Sequence, residues 1–110
     1  MVTEQACADS PVFAAVSDPI RRGILDRLRH GELSAGALAR EFPVSRPAVS
    51  RHVRVLRDAG LVRLRRERQT LHYSLNPQPL AEIDRWLNGY RLFWGARLQD
   101  LRKFVEEDQK

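Results

Sequence analysis

Residues 45–62 read SRPAVSRHVRVLRDAGLV, and the reading of this stretch decides the fold. Ser45 suits an N-cap, because its short side chain can take a backbone N–H of the first helical turn. Pro47 falls in that turn, where a missing N–H leaves no bond unmade. At about 100° per residue, Val49, Val53 and Leu56 share one narrow sector, which predicts the buried stripe. Pro47, Ser50, Arg51 and Arg54 lie opposite, with Arg46 and Arg57 beside them. Gly60 supplies the left-handed residue that ends a helix, and Leu61-Val62 begins something extended. The helix 45–59 thus has one apolar side and one side of arginine and serine, which suits a groove lined with phosphates and base edges.

Downstream the period changes from 3.6 to 2. Val62 and Leu64 alternate with Arg63 and Arg65, and Leu71, Tyr73 and Leu75 with His72 and Ser74, which predicts a β-hairpin over 62–75. Its tip near residues 66–70 has no glycine or asparagine, so a turn longer than two residues is expected. Upstream, Val12, Phe13 and Val16 mark a short helix, and Asp18-Pro19 restarts another with Ile20, Ile24, Leu25 and Leu28 on its apolar face and Gly31 closing it. Ser34 caps a third helix, expected to run through Phe42 to Pro43 and to pair with the helix 45–59 across a tight turn. The fold class is mainly α with a β-hairpin wing, a winged helix-turn-helix, in which one helix enters the major groove and the wing follows the backbone.

The charge distribution agrees. The chain of 110 residues carries a net charge of +5, and between Ser45 and Tyr73 eight arginines face only Asp58 and Glu67, so the rest of the chain is close to neutral. Basicity concentrated in the helix and hairpin is what a polyanion-binding surface requires. A hydrophobic share of 43% and a charged share of 30% are those of a globular domain. No apolar run approaches the roughly 18–20 residues of a membrane span, so no membrane partner and a cytoplasmic location are expected. Residues 1–10 lack any pattern and read as a flexible arm. On it sits Cys7, the one cysteine, which no nearby basic group activates and which reads as inert. Residues 11–110 read as one domain.

From Leu80 to about residue 107 runs the longest helical pattern, with Leu80, Ile83, Leu87, Tyr90, Trp94, Leu98, Leu101 and Val105 on one stripe. Trp86, Phe93 and Phe104 widen it beyond what one small domain can cover. Gly89 and Gly95 imply a close approach or a bend, and the acids at 106–108 favour fraying of the last turn.

Laid out in order, the residues resemble the ArsR/SmtB family of bacterial winged-helix repressors over about 13–75. The matching pieces are Ser17-Asp18-Pro19 with Arg21-Arg22 and Ile24-Leu25, Gly31-Glu32-Leu33, Ser45, Ser50 and His52, Leu56 with Ala59-Gly60-Leu61-Val62, and Tyr73 with Leu75. Tyr90-Arg91-Leu92-Phe93-Trp94 resembles a subgroup without metal sites. The resemblance implies a homodimer, built from the first and last helices, that represses a promoter, often its own, until a signal releases it. The signal, or effector, is not identified by the sequence. The family's thiolate site needs cysteines where this chain has Ser34 and Gly36. Its other site needs histidine on the last helix, and none lies beyond His72, so no metal and no cofactor are expected. The wing tip also departs from the family in lacking a glycine.

The expected partner is a double-stranded DNA operator. Arg51, projecting from mid-helix and able to fork onto guanine O6 and N7, is the first base reader, with Arg46, Pro47 and Ser50 beside it. Ser45, Arg54, Arg66 and Arg68 are expected on phosphate. His52 joins them, although it lies nearer the buried edge, where packing is an equal reading. The homodimer seam is expected at Val12, Phe13 and Val16 with Leu80, Ile83, Leu87, Tyr90, Phe93, Trp94, Leu98 and Leu101. No nucleophile with its base, metal constellation or phosphate-cradling glycine loop supports an enzyme. The alternative is a winged-helix module for non-specific nucleic-acid or protein binding.

Overall fold

A computed structural model describes residues 10–108, with side chains to 106. The expectations for residues 1–9, including the Cys7 thiol, lie outside the described residues. The chain divides into two compact units, one ending at Leu80 and one beginning at Ala81.

The first unit opens on helix α1 (Pro11–Ala15). Ser10 was expected in the arm, yet it is buried and its Oγ accepts the N–H of Val12 at 3.2 Å, so it caps α1 instead. Helix α2 (Pro19–Leu28) starts as expected on Asp18, whose Oδ2 accepts the N–H groups of Ile20 and Arg21 at 2.8 and 3.1 Å. The bond from the Arg21 N–H, aided by the nearby His52 and by the Ile20 N–H, holds the Asp18 carboxyl below the usual carboxylate range. Ile24 and Leu28 turn into the core.

Two corrections concern the segment after α2. Leu33–Ser34 forms a short strand, β1, and helix α3 (Ala35–Ala39) begins on Ser34 as expected but stops at Ala39 rather than running through Phe42. The N–H groups of Glu41 and Phe42 bond three residues back, to Leu38 and Ala39, so the chain tightens out of the helix. That turn seats the Phe42 ring against Gly23 of α2, where an added β-carbon would lie 2.9 Å from the ring.

Helix α4 (Arg46–Asp58) follows, with Ser45 Oγ accepting the Ala48 N–H at 3.2 Å and with Val49, Val53 and Leu56 buried. It ends in a Schellman motif: the N–H of Leu61 reaches the carbonyl of Leu56 and that of Gly60 the carbonyl of Arg57, both at 2.9 Å. Gly60 takes φ +79°, which side-chain-bearing residues rarely adopt. Asn76 locks this end down, its N–H to the Leu61 carbonyl and its Nδ2 to the Gly60 carbonyl, each at 2.8 Å.

Strands β2 (Val62–Glu67) and β3 (Thr70–Leu75) form the hairpin, and β1 adds to β3 to give a three-stranded antiparallel sheet in the order β1-β3-β2. Pairing of Glu67 with Thr70 leaves only Arg68 and Gln69 at the tip, so the turn is of two residues, not longer. It closes without glycine because Arg68 itself adopts φ +57°. A positive φ at the first central residue alone is the mark of a type II′ turn, whose twist matches that of the strands. The register puts Val62, Leu64, Arg66, Leu71, Tyr73 and Leu75 on one face and Arg63, Arg65, Glu67, His72 and Ser74 on the other. A 3₁₀ turn over Gln78–Leu80 ends the unit, so Leu80 precedes the long helix rather than opening it.

The second unit is helix α5 (Ala81–Asp108), 28 residues and therefore about 42 Å long. It continues through the acidic end where fraying was expected. Its own ties are local: Trp86 and Tyr90 meet edge to face with centroids 5.4 Å apart, Arg97 lies 4.6 Å over the Phe93 ring, and Arg91 pairs with Asp84. From Tyr90 to Val105 every large apolar side chain is exposed, Leu92 at 88% and Phe104 at 67%. Among the described residues no helix is long and apolar enough to cross a membrane.

Because the folded pKa of Asp18 is depressed, its contribution to stability is present above the unfolded value and is lost as pH falls through the folded one. Asp18→Asn keeps a capping oxygen but removes the titration. Thermal melts between about pH 5 and pH 3 should therefore show a smaller loss of melting temperature in this variant than in the parent.

Candidate nucleic-acid interface

With its three apolar side chains buried, α4 is fixed in rotation, and Arg46, Pro47, Ser50, Arg51, Arg54 and Arg57 are all exposed. Arg66 and Arg68 of the wing are exposed as well. None of the six arginines 46, 51, 54, 57, 66 and 68 has an ion pair or a hydrogen-bond partner among the described residues. Unpaired guanidiniums cost little in water and present their full donor fork to an incoming anion.

The sheet register decides which wing arginines are available. Arg66 shares the face of Leu64 and Leu71, toward α4, and Arg68 sits in the turn. On the opposite face Arg65 bonds Glu32 at 2.5 Å and Glu67 at 3.0 Å, with His72 Nδ1 3.8 Å from Glu32. The Arg65 hydrogen bond holds the Glu32 carboxyl below its ordinary range. Arg63 bonds the Asn76 Oδ1 at 3.2 Å. Within the wing, the arginines with partners, Arg63 and Arg65, therefore lie on the outer face of the sheet, and the free ones, Arg66 and Arg68, on the face toward α4 and at the tip. Arg46 also lines a cleft of about 310 Å³ with Gln69, Thr70 and Leu71, which brings the start of α4 and the wing tip to one surface.

His52 stands apart from the other expected phosphate contacts. Its Nδ1 lies 3.2 Å from Arg21 Nη1 and 3.8 Å from Asp18 Oδ2, so this edge of the ring faces α2. Arg21 also donates to the Ala15 and Ala14 carbonyls at 2.8 and 3.0 Å, closing the end of α1. This tie between α1, α2 and α4 was missed by sequence reading, since no periodicity couples positions 31 residues apart. The exposed place of Arg57 in the site, by contrast, was visible in its helical angle.

Of the residues expected at a dimer seam, Val12 is buried and Phe13, Val16, Leu80, Ile83 and Leu87 are half-buried, whereas Tyr90, Phe93, Trp94, Leu98 and Leu101 are exposed. Among the described residues no three His, Cys, Asp or Glu side chains group to hold a metal ion.

The family profile described as a helix-turn-helix domain matches residues 16–65. The chain is 41% identical over 76 residues to the transcriptional repressor SdpR of Bacillus subtilis, covering 69% of this chain and 84% of that protein. It is 40% identical over 96 residues to the HTH-type transcriptional regulator Rv2034 of Mycobacterium tuberculosis, covering 87% of each. Among solved structures it is similar to an ArsR-like transcriptional regulator from Rhodococcus sp. RHA1, with a TM-score of 0.67 and 32% identity over 94% of this chain and 96% of that one. NolR from Sinorhizobium fredii matches with a TM-score of 0.64 and 32% identity, over 81% of this chain and 90% of that one.

The strained turn separates stability from binding at Arg68. Arg68→Gly relieves the positive φ, so the melting temperature should stay level or rise. Fluorescence anisotropy should show weaker binding to every duplex alike, with a log K against log salt slope shallower by about one.

Proposed function

Because the chain belongs to the ArsR/SmtB family of winged-helix repressors and is a sequence-specific DNA-binding transcriptional regulator, we propose that it acts as a homodimeric repressor on an inverted-repeat operator. The observation that carries the reading is the set of six exposed arginines without internal partners on α4 and the wing. In this reading Arg51, with Arg46, Pro47 and Ser50, meets base edges in the major groove. Ser45, Arg54, Arg66 and Arg68 hold phosphate, and the remaining edge of His52 is free for the same work. Regulation of the chain's own promoter, a cytoplasmic location and release by an effector belong to the same proposal.

Dimerisation is supported by the exposed apolar side chains of α5. Eight large apolar side chains from Tyr90 to Val105 are exposed, and in this reading a second copy covers them by two-fold symmetry. Within its own unit a β-carbon at Gly89 or Gly95 would meet nothing, which leaves both positions open to a close approach by that copy.

Two measurements check the proposal. Arg51→Ala should cost about 1–3 kcal/mol on the operator and relax preference at one base pair per half-site. Equal losses on operator and random duplex would contradict its role. Sedimentation at micromolar concentration should give twice the chain mass of 12.7 kDa, and a monomer that binds the operator as one copy would overturn the dimer.

A further inference from the structure

Between α4 and the wing lies a cleft of about 240 Å³ whose lining is only half explained by DNA. Its inner walls are apolar, with Val53 2% and Tyr73 8% exposed and Leu64 and Leu71 half-buried. Ser50, Arg54 and Arg57 form the exposed rim, and neither arginine has a partner among the described residues. A phosphodiester backbone matches the guanidiniums but gains nothing from the apolar walls behind them. Two arginines at the mouth of an apolar slot match a molecule with one anionic end and one apolar body. The volume lies below the roughly 300 Å³ at which pockets for drug-sized ligands begin. A single ring or short branched chain with one carboxylate is therefore the size that fits.

We propose that this cleft is an effector site for a small apolar monocarboxylate. Arg54 and Arg57 fork onto the carboxylate, and Leu64, Leu71 and Tyr73 take the apolar body. The regulatory consequence rests on the reading of Arg54 as a phosphate contact. An acid in the cleft withdraws Arg54 from the operator backbone and stands between the helix and the wing, so ligand and DNA exclude one another. By linkage the exclusion is reciprocal, and bound operator weakens the acid as much as the acid weakens the operator.

The test uses the full chain and benzoate as the probe. Calorimetry on the free protein should show benzoate binding. Acetate, which lacks the apolar body, and benzamide, which lacks the charge, should each bind at least about tenfold more weakly. Arg57→Gln, a surface change, should weaken benzoate about tenfold. Benzoate should also release a labelled operator duplex at concentrations where sodium chloride of equal ionic strength does not. No benzoate binding, acetate binding as well as benzoate, undiminished binding by the Arg57→Gln variant, or binding without operator release would each overturn the proposal. The calorimetric arm contains no DNA, so failure there counts against the effector site alone. Loss of sequence preference in the duplex arm counts against the regulator reading instead.

Discussion

Val49, Val53 and Leu56 are 3%, 2% and 0% exposed, and their burial sets the rotation of α4 about its axis. Each side chain is worth about 1.5–3 kcal/mol buried rather than exposed. Turning the helix by one residue, about 100°, would trade this stripe for arginines in the core. The guanidiniums face water because three apolar side chains cannot. The Schellman end and the two hydrogen bonds from Asn76 then hold the helix at a fixed distance from the sheet, so that Arg46 and the wing tip share one surface.

The division of acids completes this arrangement. Glu32 and Glu67 bond Arg65 on the outer face of the sheet, and Glu41 pairs with Arg27. Had one of these carboxylates stood beside Arg51 or Arg54, a local pair would compete with phosphate. The six free arginines repel one another, a cost that solvent screening keeps small and that a polyanion offsets.

Much of this was legible in the sequence because it is written locally. Caps at Asp18, Ser34 and Ser45, the stop at Gly60 and the alternation of the strands each rest on a few adjacent residues, and they gave α2, the start of α3, α4 and the hairpin. Features that depend on distant partners were not legible. A two-residue strand such as β1 has no period to detect, and its existence depends on pairing with Tyr73 and His72. Phe42 leaves the helical path for a seat at Gly23. The turn at Arg68 defied its composition, since strand register outweighs the roughly 1–2 kcal/mol that a left-handed backbone costs an ordinary residue. At the site, the six free arginines were visible as a helical face and a hairpin tip. The anchoring of His52 by Arg21, and the pairing that removes Arg65 from the free set, were not.

The most direct test of the central claim, that α4 and the wing read a specific sequence as a symmetric pair, is selection of bound duplexes from a random pool at fixed salt. The account predicts enrichment of an inverted repeat whose half-site centres lie about one helical turn, roughly 34–36 Å, apart. A pool that retains no common sequence, or one that yields a single unrepeated half-site, would contradict it.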